Sequence, residues 1–87
     1  MELQKGMPVI SKAGHDRGKW YIVLNIEETH ALLVNGTNRT MEYPKKKKPK
    51  HLQPVKTIPE LLEEKLKAGQ PWTNEEVKRA LKLAKQD

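Results

Sequence analysis

The spacing of apolar residues changes once along this chain, near Val55, and this change limits what the chain can fold into. Before Val55, apolar and polar residues alternate in short runs, which is typical of β-strands. After Val55, apolar residues recur every three or four positions, which is typical of amphipathic helices. The chain has only 87 residues and no cysteine, so disulfides cannot support its small core. The sequence therefore predicts a mainly β domain over residues 1–56, followed by a helical hairpin over residues 57–87.

Five short strands are predicted before Val55. The strongest is Trp20–Ile26, and its more apolar face is expected to pack inward, namely Trp20, Ile22, Leu24 and Ile26. The pair Asn35-Gly36 favours a type I′ hairpin turn from a strand at Ala31–Val34 into a strand at Thr37–Tyr43. The first and last strands are predicted at Met7–Ser11 and His51–Val55.

Two amphipathic helices are predicted after Val55. A capping box at Thr57–Glu60 begins the first helix, Gly69 ends it, and its apolar stripe comprises Ile58, Leu61, Leu62 and Leu66. A capping box at Thr73–Glu76 begins the second, whose apolar stripe comprises Val77, Ala80, Leu81 and Ala84, with Trp72 placed to pack on Val77. Neither helix is long enough to be stable alone in water. They must either fold back on the β domain or dock onto a partner.

Positive charge is concentrated in the β domain. Residues 1–56 hold 11 Lys and Arg residues against 5 Asp and Glu residues, whereas residues 57–87 hold 6 of each class. The formal net charge of +6 therefore belongs entirely to the first part of the chain. A surface of this kind attracts phosphate irrespective of base sequence and points to nucleic acid, with solubility and anionic lipid binding as alternatives.

Two segments supply the candidate phosphate contacts. In the basic loop over residues 12–19, Gly14 and Gly18 permit tight turns, and we expect at least one to have a positive φ. In the second segment, Pro44 and Pro49 hold a lysine run extended, and we expect this run to be exposed and to contribute little to folding. Arg39 is a further candidate for a phosphate contact, and the alternative is that it pairs with Glu42. The candidate RNA-binding residues are Lys12, Gly14, His15, Arg17, Gly18, Lys19, Arg39, Lys45, Lys46, Lys47, Lys48, Lys50 and His51.

The glycine-containing run resembles the KOW motif of ribosomal and transcription-associated proteins, whose positions are occupied here by Gly6, Val9, Gly14, Gly18 and Val23. Tyr21 stands where many copies of the motif have glycine, and Ser11 stands where an apolar residue is common. With these departures, and with its residues 11–14 and 44–53, the sequence resembles the KOW-domain RNA-binding proteins. These are short bacterial relatives of the archaeal and eukaryotic large-subunit KOW proteins. The resemblance covers residues 4–55. It implies a small SH3-like β-barrel that binds structured RNA, above all ribosomal RNA.

No catalytic or metal site is predicted. Ser11, His15 and Asp16 cannot form a working triad, because residues of one small loop cannot place an oriented base behind the nucleophile. His15, His30 and His51 are far apart in sequence, and no cysteine is available to complete a zinc site. The N-terminus lacks an apolar signal core, and no run approaches the roughly 20 apolar residues of a membrane span. We therefore expect a cytoplasmic protein with no cofactor and no membrane partner.

These features predict a non-enzymatic protein that binds structured RNA, with ribosomal RNA or the ribosome as the expected partner. Aromatic residues make up only 5% of the chain, and of the aromatic side chains near the basic segments only Tyr43 is expected to be well exposed. Recognition by shape and phosphate is therefore favoured over base-by-base reading. The alternative is an SH3-like adaptor of a transcription or translation complex, whose C-terminal helices contact a protein partner.

Overall fold

The computed structural model describes residues 2–86, which form a five-stranded antiparallel sheet and two C-terminal helices. A 3₁₀ turn, Pro49–His51, separates the last two strands. The strands are β1 (Pro8–Ser11), β2 (Trp20–Ile26), β3 (Ala31–Val34), β4 (Lys45–Lys47) and β5 (Leu52–Pro54), and the helices are α1 (Glu60–Lys67) and α2 (Asn74–Lys85). The predicted mainly β architecture with a helical appendage is confirmed.

The strands lie in the order β4-β3-β2-β1-β5, and every neighbouring pair is antiparallel. β1 pairs with β2 on one side and with β5 on the other. The pairing of β2 with β3 shifts register between Val23 and Asn25, as at a β-bulge. Because β5 returns to β1, the lysine-rich segment before β5 also returns to the basic loop that follows β1.

Both faces of β2 are buried, so the face predicted to lie outside also forms a core. Tyr21 and Val23 belong to a first cluster together with Met7, Val9, Ala31, Leu33 and Leu52. Ile22 points to the opposite face and belongs to a second cluster with Val34 and residues of the helices. At the end of the strand, Ile26 is 42% exposed. The sheet therefore separates two apolar cores.

The helices cover the second face of the sheet. Leu62 of α1 and Val77 of α2 are fully buried and share a cluster with Ile22 and Val34 of the sheet. Between the helices, the indole N–H of Trp72 donates to the Leu62 carbonyl oxygen at 3.0 Å. The apolar stripes predicted from the sequence are therefore used within the chain, and the helices fold back on the β domain.

The predicted ends of the helices meet different outcomes. The second capping box is confirmed: the Glu76 N–H donates to Thr73 Oγ1 at 3.1 Å, and the Thr73 N–H donates to Glu76 Oε1 at 2.9 Å. The first is wrong, because α1 begins at Glu60 with Pro59 as its N-cap and has no side-chain cap. Pro59 disfavours helical geometry at the residue before it, so the helix cannot begin at Thr57.

Gly69 ends α1 as predicted. Its φ is +68°, a left-handed conformation that glycine adopts without strain. The Gly69 N–H donates to the Leu66 carbonyl at 3.2 Å, and the Gln70 N–H donates to the Lys65 carbonyl at 2.9 Å. This pair of hydrogen bonds is the Schellman motif, which satisfies the last carbonyls of the helix.

The hairpin predicted at Asn35-Gly36 is wrong. The Asn35 side-chain carbonyl accepts from the backbone N–H groups of Thr37 and Arg39, each at 3.0 Å, and folds the chain into a compact loop instead. Gly36 packs so closely on α2 that a Cβ there would lie 2.5 Å from the Asn74 carbonyl oxygen. Residues 37–43 therefore form a connection rather than a strand, and the strand that pairs with β3 is Lys45–Lys47.

The packing of the helices on the sheet predicts a large effect for Leu62→Ala. Leu62 is fully buried between the helices and the sheet, so truncation removes its apolar burial and leaves a cavity. We expect the free energy of unfolding to fall by about 2–5 kcal/mol. Urea denaturation followed by circular dichroism measures this change. Leu83→Ala is the matched control, because Leu83 is 48% exposed and its truncation should change stability by less than about 0.5 kcal/mol.

Candidate nucleic-acid interface

Asp16 lies at the centre of the candidate interface, in the loop between β1 and β2. Its carboxylate is buried and contacts four side chains. The Tyr21 hydroxyl donates to Oδ2 at 2.8 Å, and the Ser11 hydroxyl donates to Oδ1 at 2.9 Å. Lys47 Nζ donates to Oδ1 at 2.9 Å, and Lys45 Nζ lies 3.5 Å from Oδ2. A single carboxylate thus joins the basic loop to both the adjoining strands and β4.

The register of β4 explains why these two lysines reach Asp16. Lys45 pairs with Leu33 and Lys47 pairs with Ala31, and directly opposed residues of antiparallel strands point to the same face. Leu33 and Ala31 belong to the first apolar cluster, so both lysines point to that side of the sheet. Lys46 points to the other side, where its Nζ lies 3.7 Å from Glu27 Oε1.

The expectation of an exposed lysine run is therefore wrong for two of its members. The Lys47 side chain is 11% exposed and the Lys45 side chain is 26% exposed, compared with 65% for Lys46. Alternation along a strand turns every second side chain inward, and the buried carboxylate compensates the charge there. Lys45 and Lys47 consequently contribute to the fold, which a run of identical residues in the sequence does not reveal.

The charges around Asp16 determine its protonation. Burial by itself raises the pKa of the carboxyl group, but hydrogen bonds from Lys47, Tyr21 and Ser11, with the charge of Lys45, lower it by more. The resulting pKa lies well below the usual value of 3.8. Burial and the hydrogen bond to Asp16 raise the pKa of Tyr21 to about 12. The carboxylate therefore stays ionised, and the Tyr21 hydroxyl stays available as a donor.

The two glycines of the loop have the backbone conformation predicted for them. The φ of Gly14 is +89° and that of Gly18 is +88°. The Gly18 N–H donates to the Ser11 carbonyl at 2.8 Å, which closes the base of the loop. At Gly14, a Cβ would lie 3.4 Å from Lys47 Nζ, an ordinary contact distance, so the lysine lies directly beside this part of the loop.

The exposed cations of the loop and of the lysine segment adjoin one another. The Lys12 N–H donates to the His51 carbonyl at 2.8 Å, which ties the loop to the 3₁₀ turn. We call the exposed basic side chains on either side of this contact the basic surface: Lys12, His15, Arg17, Lys19, Lys48 and Lys50. None of them forms an ion pair with another residue in the range 2–86.

The remaining candidates lie beside this surface. His51 is half-buried in the 3₁₀ turn. Arg39 is half-buried, and its charge lowers the pKa of Tyr21, although burial and the contact with Asp16 raise that pKa by more. Among residues 2–86, no ion pair joins Glu42 to Arg39, and the Glu42 carboxylate accepts from Asn74 Nδ2 at 3.2 Å. Tyr43, just before the lysine run, is 74% exposed.

No protein-family model matches the chain, and a search of the curated proteins also finds no match. Within residues 2–86, no group of three His, Asp or Glu side chains is placed to hold a metal ion. Neither helix of that part of the chain has the length and apolarity needed to cross a membrane. The KOW assignment therefore stays a prediction.

The Asp16 cluster predicts a pH-dependent loss of stability in Asp16→Asn. The amide removes the charge that compensates Lys45 and Lys47 and replaces one acceptor oxygen with a donor. We expect the free energy of unfolding at pH 7 to fall by about 2–4 kcal/mol. A carboxyl group whose pKa is lowered by folding stabilises the protein when the pH is above its pKa in the unfolded chain. This stabilisation is lost progressively as the pH falls below that value toward the pKa in the folded protein. The difference between wild type and variant should therefore shrink below about pH 4, and a difference that stays constant between pH 7 and pH 3 would contradict the assignment.

Gly18 predicts a purely conformational effect of substitution. A Cβ at this position would meet no atom within 4 Å, so any destabilisation of Gly18→Val comes from the positive φ alone. We expect a loss of about 1–3 kcal/mol in the free energy of unfolding. Gly18→Asn is the matched comparison, because asparagine tolerates positive φ better than other residues, and it should lose less. Equal thermal stability of the two variants would argue against this cause.

Proposed function

We propose that this protein is a non-enzymatic, cytoplasmic RNA-binding protein that engages structured RNA, ribosomal RNA above all, through phosphate contacts of the basic surface. One observation carries the proposal. Asp16 holds the glycine loop against β4, and the Lys12–His51 hydrogen bond holds the same loop against the 3₁₀ turn. Two cationic segments that are separated by 25 residues in sequence thereby present their exposed charges side by side.

The composition of the two segments supports phosphate as the ligand. Residues 12–19 and 45–51 together hold eight Lys and Arg residues and one carboxylate, Asp16, and that carboxylate is buried. Neutralisation of phosphates by such side chains releases counterions and supplies most of the affinity that does not depend on base sequence.

The fold supports the KOW assignment as part of the same proposal. Gly6 lies just before β1, the other motif residues lie on β1, the basic loop and β2, and β5 returns to pair with β1. A five-stranded antiparallel sheet in which the first and last strands meet is compatible with an SH3-like barrel. We propose that the first apolar cluster is the interior of that barrel.

The choice of structured RNA follows from the aromatic side chains. Proteins that read single strands stack successive bases on exposed aromatic rings. Here Tyr21 is bound to Asp16 and buried, Trp72 is buried between the helices, and Trp20 is half-buried. Among the aromatic residues of 2–86, only Tyr43, beside the lysine segment, is well exposed. Charge without an aromatic platform favours the recognition of phosphates in a folded RNA.

The adaptor hypothesis loses its main support. It requires the apolar stripes of α1 and α2 to be free for a protein partner, whereas Leu62, Val77 and Leu81 are packed against the sheet. A protein partner would have to contact the remaining, more polar surface of the helices.

The test is a salt series with a folded ribosomal RNA fragment and the triple variant Lys12→Gln, Lys48→Gln, Lys50→Gln. These side chains are exposed and lie outside the Asp16 cluster, so the variant should fold as the wild type does. If all three contact phosphate, the slope of log affinity against log salt should flatten by about 2–3 units. Filter binding or fluorescence anisotropy measures the slope.

The matched control is Lys5→Gln, Lys67→Gln, Arg79→Gln, which removes the same charge from exposed positions outside the basic surface. Its slope should stay near the wild-type value. Equal flattening in both variants would show that net charge alone governs binding. If the wild-type protein does not bind the RNA fragment at low salt, the proposed function is wrong.

A further inference from the structure

A second cationic site lies on the other side of the basic loop, against α2. There the end of the loop, the start of β2, the Asn35–Thr37 turn and one side of α2 enclose a cleft of about 510 Å³. Lys19 and Trp20 line it from the sheet, and Lys78, Lys82 and Lys85 line it from the helix. Four lysines therefore line one concave surface.

The charge in this cleft is not balanced by its own walls. None of the residues that line it is acidic. The groove between α1 and α2 differs, since Glu60, Glu64 and Glu76 line it opposite Lys56 and Arg79. Like charges gathered around one cleft repel each other, and an anion bound there removes the repulsion.

The three helix lysines form a row on one side of α2. Their spacing of four and three residues places them on successive turns, about 6 Å and 4.5 Å apart along the axis. They flank the buried stripe next to Leu81, on the side that faces Trp20. The neutral charge balance of residues 57–87 conceals this row, because the acidic residues lie mainly on α1 and in the first turn of α2.

Contacts within the protein compensate these lysines only weakly. Lys78 Nζ lies 3.2 Å from Glu75 Oε1, but the Glu75 side chain is 84% exposed, and exposed ion pairs of this kind contribute little. Lys85 Nζ lies 5.9 Å from the centroid of the Trp20 ring. Lys82 has no ion pair with any residue in the range 2–86. All three ammonium groups are exposed and can reorient toward a ligand.

The cleft is continuous with the basic surface. Lys19 belongs to both, and Gly18 with its open surroundings forms the boundary between them. A polyanion that contacts Arg17 and Lys19 from the loop side can therefore extend toward α2 along a surface without a carboxylate side chain. A regular row of cations that continues an extended basic surface suits a phosphodiester chain better than a single small anion.

Building on the proposed function, we infer that the RNA-binding surface continues into this cleft, where Lys78, Lys82 and Lys85 contact phosphates of the bound RNA and a stretch of its backbone lies over Trp20. The C-terminal helix then has two roles on two sides. Its apolar stripe completes the second core, and its lysine row enlarges the RNA footprint.

The first test compares Lys78→Gln, Lys82→Gln, Lys85→Gln with the control Lys5→Gln, Lys67→Gln, Arg79→Gln in the complete chain, using the same folded ribosomal RNA fragment. Both variants lose three positive charges, and all six positions are exposed. If the inference holds, the helix variant flattens the salt slope by about 2–3 units and the control leaves it unchanged. Equal slopes in the two variants, with both shown to be folded by circular dichroism, would overturn it.

The second test uses Trp20 as a reporter in the wild-type protein. Trp20 is half-buried in the wall of the cleft, whereas Trp72 is only 5% exposed, so acrylamide quenching reports mainly on Trp20. RNA bound in the cleft should protect this fluorescence. RNA that binds with full affinity without protecting Trp20 would overturn the inference and leave the proposed function standing, whereas a failure to bind RNA at all would overturn both. Equal protection by polyglutamate would overturn the assignment of the cleft to RNA.

Discussion

The buried carboxylate of Asp16 is the contact on which the arrangement of this protein's charged surface depends. It lies in a loop with two glycines in positive-φ conformations, and its side-chain contacts add to the backbone hydrogen bonds that close the base of this loop. Hydrogen bonds from Ser11 and Tyr21 hold it to the strands on either side, and Lys45 and Lys47 hold it to β4. A buried charge is tolerated because each oxygen has partners, and the same partners place the basic loop beside the lysine segment.

This anchor divides lysines that look alike in the sequence into two kinds. Lys45 and Lys47 point inward and compensate a buried charge, whereas Lys48 and Lys50 follow the strand and remain exposed. The difference comes from the period of two along β4 and from the turn at Pro49, which ends that alternation. The surface therefore combines a buried, hydrogen-bonded base with exposed cationic side chains.

The second helix contributes both to the apolar core and to the charged surface. The apolar side of α2 is buried against the sheet together with Ile22 and Val34, so the helix is held at a fixed angle to the basic loop. The loop that contains Gly36 approaches the backbone of α2 because Gly36 has no side chain. The side-chain oxygen of Asn74 also accepts a hydrogen bond from the Met41 N–H at 2.8 Å. With its core face fixed, the lysine row has a defined position beside Trp20 rather than a random one.

Local rules in the sequence determined the strands at Trp20–Ile26 and Ala31–Val34, the capping box of α2, the end of α1 at Gly69 and the positive φ of Gly14 and Gly18. Each depends on residues that are neighbours along the chain, so periodicity and backbone sterics suffice. Only the tertiary structure decided the rest. The Asn35 side chain bonds to the backbone and forms a loop where a hairpin was predicted. The lysine run forms β4 by pairing with β3. Asp16 is the anchor because it contacts lysines that are 29 and 31 residues away in sequence. The lysine-lined cleft likewise brings together the loop and α2, whose proximity depends on how both pack against one sheet.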